Sequence, residues 1–121
     1  MTLEARRAVY RRGLRAEHLA AIFLRFKGYG VLERRFKTPV GEIDLVARRG
    51  KTLIFVEVKE RNDMRTALES ISPQMKSRIN RAALYYLAAH PEFQGFDMRF
   101  DVVATSGLRI RHLDNAWSAA A

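Results

Sequence analysis

A chain of 121 residues, 48% of them apolar, is long enough for one hydrophobic core and too short for two ordinary domains. It has no cysteine, which excludes a disulfide frame and thiolate metal sites, and no apolar run approaches the about 18 residues of a membrane span, so a soluble cytoplasmic protein without a signal core is expected. Lys and Arg number 22 against 13 Asp and Glu, and the net charge of +9 favours a polyanionic partner, nucleic acid ahead of an anionic membrane surface.

The basic bias starts early, with Arg6, Arg7, Arg11, Arg12 and Arg15, and continues through Arg25, Lys27, Arg34, Arg35 and Lys37. A plain solvated basic surface is the alternative to a phosphate-binding one. From Gly13 to Lys27 the pattern is helical: Leu19, Ile22, Phe23 and Phe26 form one stripe, and Glu17, Ala20, Ala21 and Leu24 form another on the opposite side. A helix apolar on two sides is expected to pack between layers. Glu17 then sits in an apolar row, which makes it a candidate third carboxylate beside the pair described next. Gly28-Tyr29-Gly30 stops the helix, Val31 to Phe36 reads as a strand, and Thr38-Pro39-Val40-Gly41 as a turn.

Glu42 to Arg48 and Thr52 to Lys59 are extended runs rich in Ile, Leu, Val and Phe, joined by a short polar turn containing Gly50. With Arg49-Gly50 as a two-residue loop, Arg48 faces Lys51 and Asp44 faces Phe55. Glu57 is then the diagonal neighbour of Asp44, about 7–8 Å away between backbones. Any even-residue loop keeps both acids on one face, and an odd loop or a bulge separates them. Lys59, two residues beyond Glu57, shares its face. Two carboxylates on a rigid scaffold suit a hard divalent cation, and with a nearby Lys they are equipment for metal-assisted phosphodiester cleavage. A solvated polar face, or a buried Glu57–Lys59 or Glu57–Arg pair, is the structural alternative. The run Leu53 to Val58 reads as a central strand buried on both faces, where an unpaired acid is costly.

Asn62 to Thr66 reads as a polar loop beside the site. Ser72-Pro73 starts a helix whose buried face is Ile79, Ala82, Ala83, Tyr86 and Leu87, with Pro91 beyond its end. Gln74, Lys76, Arg78 and Arg81 are its polar residues, placed to approach phosphates or simply solvated. Met98 to Thr105 is a strand carrying Asp101, which is expected to pair with Arg99 or an Arg of the first helix in a structural role. After a Ser106-Gly107 turn, Leu108 to Leu113 is a short strand. Trp117 is expected as a core or interface anchor, and Ser118 to Ala121 carry no signal. His18, His90 and His112 lack metal-ligand spacing, and no P-loop, Rossmann fingerprint or nucleophile elbow is present. The order helix, three strands, helix, two strands describes one α/β domain, 1–121 with its core at about 13–117. Its mixed sheet is an antiparallel meander followed by a helical crossover to a further strand.

This element order, with Asp44, Glu57-Val58-Lys59 and an acid on the preceding helix, resembles the PD-(D/E)XK nuclease superfamily. Within it the chain is most similar to the YraN-like uncharacterised bacterial family, distantly similar to archaeal Holliday junction resolvases. The resemblance runs from about Gly13 through Trp117. It is carried by Ala16-Glu17 with Gly28-Tyr29, by Gly41-Glu42-Ile43-Asp44-Leu45, by Phe55-Val56-Glu57-Val58-Lys59-Glu60-Arg61 and by Arg99-Phe100-Asp101-Val102.

The resemblance implies a restriction-endonuclease-like fold and a metal-dependent endonuclease acting on nucleic acid, DNA rather than RNA, selected by branched structure. It implies Asp44, Glu57 and the Val58 carbonyl as ligands for Mg²⁺ or Mn²⁺, Lys59 as catalytic lysine and Glu17 as accessory acid. Glu42 belongs to the family's own block and joins the site or fixes the hairpin. Arg61 is placed to hold the nucleic-acid backbone. Relatives show a basic residue and a Gln after the Ser/Thr-Pro start, whereas this chain has Gln74-Met75-Lys76, leaving open which of Gln74 and Lys76 contacts substrate. A homodimer is expected by the same resemblance. The competing readings are a nucleic-acid-binding module without turnover and an adaptor for a replication or repair partner.

Overall fold

The computed structural model describes residues 1–119, so Ala120 and Ala121 of the unread tail lie outside the described residues. Helix α1 spans Leu3–Phe26, with Thr2 capping it through a bond from the Ala5 amide at 3.0 Å. It therefore starts well before the expected Gly13. Residues 3–12 are good helix formers but almost wholly exposed, so they carry no apolar stripe to announce the helix. Only one face of α1 packs, through Ala16, Glu17, Ala20, Ala21 and Leu24. The second stripe is not between layers: Ile22 and Phe26 are exposed. Gly28, at φ +92, turns the chain out of the helix in the left-handed region that favours glycine.

Five strands follow in the sheet order β1-β2-β3-β4-β5: β1 Gly30–Thr38, β2 Gly41–Arg49, β3 Thr52–Glu60, β4 Asp97–Ser106 and β5 Arg109–Trp117. All neighbours are antiparallel except β3 and β4, which are parallel and joined by helices α2 (Met64–Glu69) and α3 (Pro73–Ala89). This is the expected mixed α/β sheet flanked by helices, consistent with a restriction-endonuclease-like fold. Ser72 caps α3 by accepting the Met75 amide at 3.1 Å. The polar stretch after Lys59 is only partly a loop: Asp63 accepts the Thr66 amide at 2.8 Å and opens α2. That six-residue helix buries only Ala67, too little apolar pattern to be read from sequence.

The two faces of the sheet carry separate cores. Against α1 lie Leu45, Ala47, Ile54, Val56 and Val103. Against α3 lie Ile43, Val46, Leu53, Phe55, Phe100 and Trp117. Trp117 is a core anchor, stacked on Phe100 with centroids 5.3 Å apart and donating its indole N–H to Asn80 at 2.8 Å. It ends β5 four positions beyond the expected Leu113, because Asn115 at φ +51 and the polar Asp114 hide the strand's continuation.

Asp101 is fully buried and accepts bonds from Arg99 Nε and Nη2, His112 Nε2 and the Asn115 amide, at 2.7 to 3.0 Å. Its structural role with Arg99 is as expected. Among the described residues no helix is long and apolar enough to cross a membrane.

Candidate functional site

The site forms where the sheet forks. β2 pairs with β3 from Arg49↔Thr52 to Leu45↔Val56, and there the ladder ends. β2 stays paired with β1 as far as Thr38↔Gly41. Beyond Leu45, therefore, β2 leaves β3 and follows β1. Side-chain alternation records the break: Leu45 and Ala47 face α1, yet Ile43 joins the core against α3. On β1, Arg35 lies between Arg34↔Leu45 and Phe36↔Ile43, hence opposite Asp44, and has φ +55. A non-glycine residue in that region is strained and marks where the strand pair bends.

The hairpin loop is Gly50-Lys51, because Arg49 pairs with Thr52. This corrects the expected Arg49-Gly50 loop. This register excludes the expected Asp44–Phe55 pairing: Asp44 lies one residue past the end of the ladder and meets β3 through its side chain, at the Val58 amide next to Glu57. The loop keeps its even length, so both remain on one face.

At the fork Asp44 Oδ2 accepts the Val58 amide at 2.8 Å. Burial, then the charge of Glu57, pushes the Asp44 carboxyl up to about 8, against the lowering effect of the Val58 bond; Glu17 and Glu42 add to the rise. Burial likewise raises Glu57, opposed by Lys59, whose Nζ lies 3.4 Å from Glu57 Oε1. A half-buried Asp44 and a buried Glu57 are thus held together, with the Lys59 ammonium beside Glu57 to offset their charge.

Glu17 reaches this cluster from α1 and is held by Arg35, Nε to Oε1 at 2.9 Å. The same Nε lies 4.0 Å from Glu42, and the guanidinium meets the Tyr10 hydroxyl at 3.3 Å. Arg35 therefore links Glu17 and Tyr10 of α1, and more loosely Glu42 of the hairpin, to the fork. From sequence Arg35 counts only toward the basic bias, since nothing in a Glu-Arg-Arg-Phe run signals a positive φ.

A cavity of about 230 Å³ opens beside the acids, lined by Glu42, Asp44, Glu57 and Lys59 and, from α3, by Met75 and Arg78. Gly41 lies against Arg78, and a Cβ there would make only an ordinary contact, 3.5 Å from Arg78 Cβ; what favours glycine is its backbone, at φ +155. Of the four polar residues read on α3, Arg78 is the one that lines this cavity. Gln74 lines a shallow neighbouring groove with Arg78 and Arg81, and Lys76 a third groove beside Asn80 and Trp117. Arg61 is exposed past the end of β3, bonded to the Glu60 carbonyl at 2.6 Å.

Among the described residues no three His or acidic side chains are grouped to hold a metal by themselves. Two carboxylates with a backbone carbonyl nearby suit Mg²⁺, which keeps several waters and takes one or two carboxylates plus phosphate oxygens. The two carboxylates therefore suit that ion, which Asp44, Glu57 and the Val58 carbonyl would hold.

Residues 16–105 match the model of the uncharacterised protein family UPF0102. A UPF0102 protein of Parvibaculum lavamentivorans is 52% identical over 111 residues, covering 91% of this chain and 84% of the relative. Another, from Paramagnetospirillum magneticum, is 47% identical over 118 residues, 93% of this chain and 92% of the relative. A third, from Nitrobacter winogradskyi, is 46% identical over 113 residues, 93% and 96%.

Proposed function

We propose that this chain, which belongs to the uncharacterised protein family UPF0102, is a metal-dependent endonuclease hydrolysing phosphodiester bonds in nucleic acid, with branched DNA as its preferred substrate. The observation that carries this reading is the pair Asp44 and Glu57, forced together at a fork of the sheet with Lys59 3.4 Å from Glu57. Holding a half-buried acid beside a buried one costs stability, and a cation offsets that cost.

A divalent ion bound there supplies a water of lowered pKa and positive charge beside the scissile phosphate. The protein's own part is positioning. The Val58 amide fixes Asp44, and Arg35 fixes Glu17 close enough to influence Asp44 and Glu57. Lys59 is placed to orient the attacking water or to meet charge developing on the phosphate, as a compact ammonium can. Arg78 brings a guanidinium to the same cavity, where a phosphate can take two of its N–H groups. The net charge of +9 draws a polyanion to this surface. Preference for branched structure rests on the resemblance to junction resolvases and on the lack of any identified base-reading element.

The test is cleavage of a four-way junction, a flap, a single strand and a linear duplex in Mg²⁺, Mn²⁺ or EDTA, with Asp44→Ala and Glu57→Ala alongside. Metal-dependent cleavage absent from both variants supports the reading. A second reading, a binding module without turnover, is favoured by ion pairs that already occupy Glu17 and Glu57. Binding that survives EDTA with no cleavage of any substrate would establish it instead.

A further inference from the structure

A second cavity, of about 450 Å³, lies between α1 and the ends of β3 and β4. Its walls are apolar, with Leu19 and Ile22 from α1 and Leu108 from the β4–β5 turn. Leu108 is 92% exposed, so apolar surface stands open at the rim. Arg12 and Arg15, both exposed, also line it with His18 and the Glu60 carboxylate; Glu60 lies 4.0 Å from Arg12 Nε, which leaves the two guanidiniums in excess of one acid. Thr105 belongs to the wall and is buried, and its hydroxyl has no hydrogen-bond partner. A buried hydroxyl left alone is unfavourable, because it has lost water and gained no partner. Rotation about χ1 exchanges that hydroxyl with a methyl of similar size, which lets it turn toward a ligand.

The volume falls in the range of about 300–1,000 Å³ usual for small-ligand sites, and apolar walls with a few polar groups are their usual make-up. The occupant these walls fit is flat and apolar, with a polar edge for Thr105 and an anionic group for Arg12 and Arg15. A nucleotide has all three. The position also favours one. Glu60 lines this cavity and directly follows Lys59, which lines the carboxylate cavity; adjacent strand residues point to opposite faces. The two cavities therefore stand back to back across the end of β3. A strand crossing that end from the acids arrives at Arg12, whose Nε is 4.0 Å from Glu60.

We infer that this second cavity holds one unpaired nucleotide of the strand bound at Asp44 and Glu57. The inference rests on the nuclease reading and gives it a substrate class: strands with an extrahelical or single-stranded nucleotide next to the scissile phosphate. Taking a base out of the stack costs a few kcal/mol, least where it is already unpaired, so such a pocket selects structure rather than sequence.

The experiment uses the full chain as Asp44→Asn, with oligonucleotides carrying one 4-thiothymidine at the unpaired position of a flap or junction. Photocrosslinks are mapped by mass spectrometry, and affinity is followed separately by anisotropy. Crosslinks on Leu19 to Ile22 or Gly107-Leu108 are expected. Ile22→Trp, filling the cavity from its open rim, should weaken branched-substrate binding by about tenfold and leave duplex binding within about twofold. Thr105→Val should weaken the same binding without loss of thermal stability. Crosslinks elsewhere with affinity intact overturn the inference and spare the nuclease reading. Absence of binding to every nucleic acid overturns both. Thymidine monophosphate binding here while the strand crosslinks elsewhere overturns it in favour of a free-nucleotide site.

Discussion

The Asp44 carboxylate takes the Val58 amide that β2 would have met through Ile43 had the β2–β3 ladder continued beyond Leu45↔Val56. One side chain thus does two things. It satisfies a backbone donor at the point where the sheet opens, and it is held rigidly against Glu57. An Asn at position 44 can still accept that amide and, being neutral, avoids the cost of a carboxyl held away from its ordinary ionisation. Asp44→Asn is therefore expected to fold, and to gain on the order of 1–2 kcal/mol of stability at pH 7.5, because burial and Glu57 hold the native carboxyl far above its ordinary range. Its cleavage should fall by at least about 10²-fold, with binding within about twofold. Unchanged cleavage by this variant would trace the activity to a contaminant.

Metal should act as a stabiliser of the folded chain through the same two acids. At a concentration several times its dissociation constant, Mg²⁺ or Ca²⁺ is expected to add about 1 kcal/mol, a rise of a few degrees in Tm. Asp44→Asn and Glu57→Gln should each abolish the rise. Differential scanning fluorimetry with a metal titration checks this. A rise that survives in both variants would place the ion elsewhere.

Arg78 and Lys59 line one cavity and should fail differently. Arg78→Ala removes a phosphate partner, so affinity should drop about uniformly across substrates and the slope of log K against log salt should shrink by about 0.9. Lys59→Gln should lower kcat by about 10²-fold with little change in that slope. It also removes the ammonium that opposes the rise of the Glu57 carboxyl. Salt titrations and single-turnover rates separate the two, and an unchanged salt slope in Arg78→Ala would remove that residue from the phosphate path.

The proximity of Asp44 and Glu57 was legible because side-chain parity survives any even loop, so moving the loop to Gly50-Lys51 slid the register without changing the face. The fork was not legible. It depends on the positive φ of Arg35, which no local composition announces, and on a ladder that stops in the middle of an unbroken apolar pattern. The same limit hid the first turns of α1 and all of α2, where the helix is real but buries almost nothing. On α3 the four polar residues were visible, yet only the placement of the helix against the hairpin shows that Arg78 is the one lining the cavity beside the acids.

Asp101, midway along β4 and paired in register with Val56, sets an acid limit on the fold. A carboxylate only accepts and an ammonium only donates, so His112 carries its hydrogen on Nε2 toward Asp101 and accepts Lys27 on Nδ1, at 2.7 Å each. Burial alone would raise the Asp101 carboxyl, but the bonds from Arg99, His112 and the Asn115 amide outweigh it and bring it down to about 2. The unfolded chain, with an ordinary carboxyl near about 3.9, binds this proton more readily than the folded one. Stability from Asp101 is therefore complete above about pH 4 and is lost as pH falls through about 2, an amount of about 2–3 kcal/mol. Denaturant unfolding followed from pH 6 to pH 2 should show that loss in the wild type and a flatter profile in Asp101→Asn. The variant should also be less stable at pH 7 by about 3 kcal/mol, since Arg99 is left without its counter-charge. Equal stability of the two proteins at pH 7 would mean that the buried network contributes nothing net to the fold.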